Sequence, residues 1–524
     1  MRSDSVDSMA AAGVQQAPAG GSGGAPQGAA QPPAVAAEAP ALQWSPPPGT
    51  QDAPGTDSES SRVSWEPVPF SAEAGSGPMT WGQLHMWRPM QWYGAAFASF
   101  SIRQVLPLAA PGVPLADCLA ALRRLVEANQ TLRTRFTERS AGPRQTVEAE
   151  GTHVVEVYQL GEGGSQADAA AEAVAERRAR KLAAEPFRHS HEWPVRFGLV
   201  CRGRQVLAIA MVSSHVALDG WTVERLTESL IRLLADGTAA PKQVWQPLDQ
   251  AEFEKSEQGR RQDARAMRHW RARLAEVPDT APRPPYDVRA DPPVQQWRLT
   301  STALAAASMA LAERTGTSSS TVLLTLAATA LSAIRAQPTV AVLMVTGNRL
   351  TERQQQLMTS TVQDGLLVYD CADVSLDDAV RDVYRRSTSG YMRAQFDPDS
   401  LVALTDELDR SRRYPLDLTG YFNDARLGLD WSIGRPAGAA AGHPRSQQAP
   451  AFVRGYERND MTYCLSLAQH GPHCQVSLLI DTALLPQDRI PAMLTGLEDL
   501  LCAAAEGEVG LREVPAALGL PAAP

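Results

Sequence analysis

The chain has 524 residues, 44% hydrophobic and 20% charged, an ordinary balance for a globular protein and more length than one hydrophobic core organises. Its 49 lysines and arginines against 58 acidic residues give a net charge of −9, which argues against a nucleic-acid binder. No apolar run reaches the roughly 18–20 residues of a membrane span, no basic-then-apolar leader opens the chain, and six scattered cysteines without a C-x-x-C pair read as buried thiols in a reducing, cytoplasmic setting.

Residues 1–75 read as a disordered tail, because "AAGVQQAPAGGSGGAPQGAAQPPAVAAEAP" offers no periodic apolar face to offset the entropy of ordering. Structure is expected from about Met79. "DCLAALRRLVEANQTLRTRF" carries Cys118, Leu122, Leu125 and Val126 at helical spacing and leads towards a strand. "QTVEAEG" and "HVVEVYQL" read as strands, and "DAAAEAVAERRARKLAAEPF" as a helix ended by Pro186. "VRFGLVCRG" and "QVLAIAMVSS" form a hairpin pattern, and the amphipathic "TVERLTESLIRLLADG" stops at Gly237. The proline-bearing "GTAAPKQVWQPLDQ" looks like a crossing, followed by a polar helix through "RRQDARAMRHWRARLAEV". The mixed pattern then repeats: a helix at "SSSTVLLTLAATALSAIRAQ", a strand at "TVAVLMVTGNR", a helix at "LDDAVRDVYRRSTSGYMRAQF", a strand at "CQVSLLIDT" and a closing helix at "IPAMLTGLEDLLCAAAEG". The class expected is α/β (α+β), with one lobe over 76–240 and a second over 241–524.

The stretch "AMVSSHVALDGWTVERL" concentrates the chemistry. In an extended register Leu207, Ile209, Met211, Ser213 and His215 share one face, and Val206, Ala208, Ala210, Val212 and Ser214 the other. Both faces are apolar, as a central strand covered on both sides requires. His215 leaves that strand just before a helix, at the kind of concave edge where ligands bind. Asp219 stands where a carboxylate caps a helix N-terminus, and Gly220 supplies an amide N–H that an oxyanion can approach.

"MVSSHVALDGWT" resembles the H-H-x-x-x-D-G-W-S signature of condensation domains from nonribosomal peptide synthetases, within the H-x-x-x-D acyltransferase superfamily. Other segments match the family in order. "TWGQLHMW" (Thr80–Trp87) resembles S-x-A-Q-x-R-L-W, and "NQTLRTRF" (Asn129–Phe136) resembles R-H-E-x-L-R-T-x-F. "HWRARLAEVP" (His269–Pro278) is similar to a Y-W-x-x-x-L segment, and "MVTGNR" (Met344–Arg349) and "CQVSLLIDTALLPQDRI" fall where the family has its second-lobe strands. Ser214 replaces the first histidine, whose place is mainly structural, and the family's I-G-x-F-V-N-T segment is poorly kept in "TSTVQDGLLV".

The resemblance implies two chloramphenicol-acetyltransferase-like lobes in a V-shaped pseudo-dimer, with His215 midway along a tunnel between them. It implies no cofactor bound by the chain itself. The tethered substrate is the phosphopantetheine arm of acyl or peptidyl carrier proteins, which enter from opposite mouths. The acceptor is a small-molecule amine or a carrier-bound one, and the partners include no nucleic acid and no membrane; a monomer is expected. His215 acts as general base or as positioning group, and the Gly220 N–H is a candidate oxyanion donor. Asp219 turns from the cavity into an ion pair with Arg133, and Trp221 packs. Amide formation leads; ester formation or acyl transfer to a free molecule, and non-catalytic carrier-protein recruitment, are the alternatives. "HSHE" (His189–Glu192) reads as surface and not as a metal site, and the basic strings "ERRARK" and "RRQDARAMRHWRAR" as solvated helix faces. No G-x-S-x-G, Walker or Rossmann pattern appears.

Overall fold

The first strand carries two prolines and still pairs along its whole length. In the computed structural model the described residues are 62–93, 100–140, 142–161, 167–237, 245–280, 286, 289–371, 373–426, 445, 446, 448–470 and 473–520. Strand β1 (Val63–Ser71) lies inside the stretch expected to be tail, which is corrected here; residues 1–61 fall outside the described set. Pro67 and Pro69 sit on a strand with one neighbour, the edge position that tolerates a missing N–H. Val68 and Phe70 alternate with them into the core.

Strand β2 (Gly75–Pro78) and helix α1 (Trp81–Tyr93) follow, then β3 (Ile102–Pro107), β4 (Val113–Pro114) and α2 (Leu115–Ala128). The helix α2 buries Cys118, Ala121, Leu122, Leu125 and Val126, the stripe read from the sequence. Next come β5 (Thr134–Thr137), β6 (Arg144–Val147), β7 (Glu150–Gln159), α3 (Ala167–Ala183), β8 (Val195–Arg202), β9 (Gln205–Ser213) and α4 (Gly220–Asp236). One sheet runs β1-β7-β8-β9-β3 with β4 also on β9, and β2-β6-β5 form a small second sheet.

Strand β9 lies between β8 and β3 with both faces covered. Ile209 and Met211 pack in the cluster with α2 and α4, while Ala208, Ala210 and Val212 pack in the cluster with α3. A register shift at Val200/Cys201 exchanges the sides expected for Val206 and Leu207, which join the first and second clusters respectively.

Helices α5 (Pro247–Lys255) and α6 (Glu257–Leu274) lead to β10 (Val294–Ser301), α7 (Thr302–Thr315), α8 (Ser319–Arg335), β11 (Thr339–Thr346), α9 (Glu352–Gln356) and β12 (Gln363–Asp370). The chain continues through α10 (Leu376–Tyr391), α11 (Pro398–Arg410), β13 (Gly420–Asp424), β14 (Ala451–Tyr456), β15 (Tyr463–His470), β16 (His473–Asp481), α12 (Ile490–Glu506) and α13 (Val514–Ala517). The second large sheet has the order β12-β11-β13-β15-β16-β10-β14. Helix α8, apolar all round, lies inside the largest core, as such a surface requires. Among the described residues no single helix is long and apolar enough to cross a membrane.

Candidate functional site at the seam of two sheets

Ser213 ends β9, and the chain then makes one tight turn before α4. Ala217 and Leu218 both donate backbone N–H bonds to the Ser214 carbonyl, at 3.1 and 3.0 Å. That turn delivers His215 to the surface between the two large sheets. Residues 216–219 are buried around it, while His215 keeps partial exposure. Its Nδ1 is sealed from solvent and has no hydrogen-bond partner. Burial holds the imidazole pKa below the usual 6.5, and His85 pushes the same way; the Asp219 carboxylate and the backbone of His215 and Leu218 pull against them. The ring is therefore neutral at pH 7.

Asp219 caps α4 as expected. Its Oδ1 accepts from the Thr222 N–H at 2.9 Å and from the Thr222 hydroxyl at 2.6 Å. Its ion-pair partner, however, is Arg349 and not Arg133. Arg349 Nη2 lies 3.1 Å from Oδ1 and 2.9 Å from Oδ2, and the Thr361 N–H donates to Oδ2 at 3.0 Å. Arg133 instead donates to the backbone carbonyls of Glu73 and Glu148, where it braces β2 and β6. The physical reason is reach. Helix α4 begins against the segment after β11, so the nearest cation is the arginine of "MVTGNR". Burial alone would raise the Asp219 pKa, yet Arg349 with the Thr222 and Thr361 donors holds it below the usual carboxylate value. Asp219 thus ties the motif to the second sheet.

Ser214 finds its partner in His189, whose Nε2 lies 2.6 Å from the hydroxyl. His189 was expected at the surface and is instead buried, its pKa lowered to about 4 chiefly by desolvation. The "HSHE" string thereby supplies a support for the turn, and no cluster among the described residues could hold a metal ion. Gly220 is the first residue of α4, so its N–H has no intrahelical acceptor. Trp221 packs across the seam, its indole N–H donating to the Gln355 carbonyl at 3.1 Å and its ring facing Arg225.

Helix α1 forms the other wall. The Trp81 N–H donates to Glu254 at 2.8 Å, Gln83 donates to Thr359 Oγ1 at 3.0 Å, and the Tyr93 hydroxyl donates to Asp460. Between them His85 Nε2 stands 3.4 Å from Asp364 Oδ2, with Tyr421 and Asp460 in the field of that carboxylate. Gly82 is required where α1 meets the second sheet's loop, since a Cβ there would lie 2.4 Å from the Ser360 carbonyl oxygen. Sequence reasoning missed His85, Asp364, His189, Arg349 and Thr361. Only Arg349 carried a signal, as the arginine that closes the segment "MVTGNR". Two clefts of about 620 and 480 Å³ lie elsewhere, one against β1, β7 and α3, the other beside the start of α1, and neither is lined by His215.

Comparison with known proteins gives a family match and several similar folds. Residues 109–362 match the family model described as the condensation domain. A probable non-canonical nonribosomal peptide synthetase, CymA, of Salinispora arenicola (strain CNS-205) is 28% identical over 215 residues, which cover 38% of this chain and 3% of that relative. Among solved structures, the condensation domain of the monacolin K polyketide synthase MokA superposes with a TM-score of 0.64 at 13% identity, covering 84% of this chain and all of that one. SgcC5 from Streptomyces globisporus gives 0.61 at 15% identity, with 82% and 99% covered. The condensation domain that mediates chain release from the enacyloxin polyketide synthase gives 0.59 at 18% identity, with 86% and 84% covered.

Proposed function

We propose that this chain, which carries a condensation domain, joins an acyl or aminoacyl group, presented as a thioester on the phosphopantetheine arm of a carrier protein, to an amine acceptor to form an amide. One observation carries the reading: a partly exposed imidazole stands at the seam of two sheets, in the turn that leads into a helix start.

The chemistry follows from charge. An alkyl amine arrives mostly as ammonium at pH 7 and cannot attack in that form. Neutral His215 takes the proton, or accepts a hydrogen bond that holds the neutral amine in line. The nitrogen lone pair attacks the thioester carbonyl carbon, the Gly220 N–H stabilises the oxygen as it gains charge, and the carbon–sulfur bond breaks. Of the two protons that the ammonium gives up on becoming an amide nitrogen, one leaves on the thiol and the other passes to solvent. Because burial weakens the imidazole as a base, orientation supplies much of the rate, an effect worth up to about 7–11 kcal/mol in well-aligned reactions.

Intact-mass analysis of loaded carrier protein with a panel of amines tests this. Amide product is expected from the wild type and not from His215→Ala; equal yields from both would replace the catalytic reading with recruitment.

A further inference from the structure

One peptide plane governs how His215 is presented, and it is held from both sides. The turn after β9 closes when the Leu218 N–H donates to the Ser214 carbonyl at 3.0 Å. The oxygen of that same rigid unit belongs to Ala217. It accepts from the Ser360 N–H at 2.8 Å and from the Thr359 hydroxyl at 3.1 Å. The unit is thus tied into the turn through its N–H and to the second sheet's segment through its oxygen. His215 lies between the two bonded planes, Ser214–His215 and Ala217–Leu218, so its Cα follows their orientation.

Thr359 is fully buried and both its oxygens are engaged. Oγ1 also accepts from Gln83 Nε2, at 3.0 Å. The Thr359 carbonyl accepts from the Thr222 hydroxyl at 3.0 Å and from Arg349 Nη2 at 2.6 Å. Helix α1, the His215 turn, α4 and the loop after β11 therefore meet at one residue. The Gln83 amide is itself oriented, since its Oε1 accepts from the Thr80 N–H at 2.9 Å and its Nε2 also donates to Gln145 Oε1 at 3.2 Å.

A hydroxyl has one proton to give. A carbonyl oxygen only accepts, so that proton is committed to Ala217, and Oγ1 meets the Gln83 amide with a lone pair. The order Gln83, Thr359, Ala217 runs in one direction, from one wall of the seam to the other. Next to it the Ser360 hydroxyl is buried with no hydrogen-bond partner, although the Ser360 N–H reaches Ala217. An unpaired buried hydroxyl costs stability, so the segment keeps its place against a local cost.

We propose that Thr359 is a positioning residue for His215: its hydroxyl sets the tilt of the Ala217–Leu218 plane, and with it the imidazole, from the place of Gln83 on α1. The effect on rate rests on the reaction proposed above; the effect on the ring does not.

Thr359→Val removes the donor, and Thr359→Ser keeps it. The full chain is prepared with histidine carrying carbon-13 at Cε1, and the His215 signal is assigned with His215→Ala. Thr359→Val is expected to move or split that signal, and Thr359→Ser to leave it in place. In the condensation assay Thr359→Val should lower kcat about 10- to 100-fold with KM within about twofold, the scale of a misplaced group, and Thr359→Ser should recover most of the loss. Thr131→Val is the control, because the Thr131 hydroxyl also crosses between the lobes, to the Met358 carbonyl; it should lower Tm and leave kcat. An unmoved ring signal in Thr359→Val, equal losses in Thr359→Ser, or an equal fall in kcat in Thr131→Val would overturn the role. Should Thr359→Val fail to fold, Gln83→Met breaks the same path one bond earlier and is expected to move the ring signal; a signal at its wild-type position would overturn the path. A moved signal with no amide product from the wild type would keep the positioning and reject the reaction. Amide product from the wild type, with signal and kcat unchanged in Thr359→Val, would do the reverse.

Discussion

Removing Arg349 tests how the motif loop is held. Its side chain and that of Asp219 are 7% and 2% exposed, and Nη2 contacts both carboxylate oxygens. Arg349→Gln leaves that carboxylate buried without its cation, a loss of about 3–5 kcal/mol. For a cooperative unit of 150–250 residues this is a fall in Tm of roughly 6–20 °C. The pair's pH behaviour follows from the lowered Asp219 pKa. The stabilisation is fully present above the unfolded value near 3.9 and is lost as pH falls through the lower folded value, so neutral buffers show all of it. A double-mutant cycle separates this contact from general damage. Asp219→Asn with Arg349→Gln should show a coupling of about 2 kcal/mol or more, while Asp219→Asn with Arg133→Gln should be additive within roughly 0.5 kcal/mol. Strong coupling to Arg133 with none to Arg349 would refute the assignment.

His215→Ala should keep its melting curve and lose amide formation at least about 100-fold, the scale of a lost acid–base group; wild-type activity should stay level from pH 8 to 6.5 and fall only below it, because the ring's pKa is lowered. A profile that breaks above pH 7 would contradict that. His189→Ala should cost about 1–3 kcal/mol, since it leaves the buried Ser214 hydroxyl without its ring partner, and Ser214→Ala added to it should cost little more in chemical denaturation. Glu254, buried against the start of α1, is pushed up to about 8 by desolvation, with Asp397 adding to it. As an acid with a raised pKa it makes the fold lose stability as pH rises from about 4.3 to 8, and a Glu254→Gln variant whose Tm declined just as steeply over that range would refute the role.

Much of this could be read along the chain. The apolar run of β9, the cap at Asp219 and the stripe of α2 are local facts, set by residues within a few positions of each other, and each appears where the sequence puts it. The contacts that complete the site are not local. Asp219 and Arg349 are 130 residues apart, and Ser214 and His189 are 25 apart on an irregular segment. No periodicity reports which loop a buried carboxylate will meet once two sheets come together. Strand β1 was hidden for a different reason: prolines at 67 and 69 look like loop until one knows that the strand is an edge. His189 looked exposed because Pro186 breaks the helix before it, yet a break in a helix says nothing about burial.

The imidazole of His215 is held at the boundary between two sheets by contacts that converge on one segment. Helix α1 contacts the second part of the chain along its whole length, through Trp81, Gln83, His85 and Tyr93. The loop that carries His215 makes its own crossings through Asp219, Thr222 and the Ala217 carbonyl, which accepts from the Ser360 N–H at 2.8 Å. Both walls of the seam therefore rest on the same short segment, Thr359 to Asp364, after β11 and into β12. A shift of that segment moves His85, through Asp364, and the His215 loop, through Asp219 and Ser360, in the same direction. Their relative placement then survives small motions between the sheets, as the orienting role proposed for His215 requires.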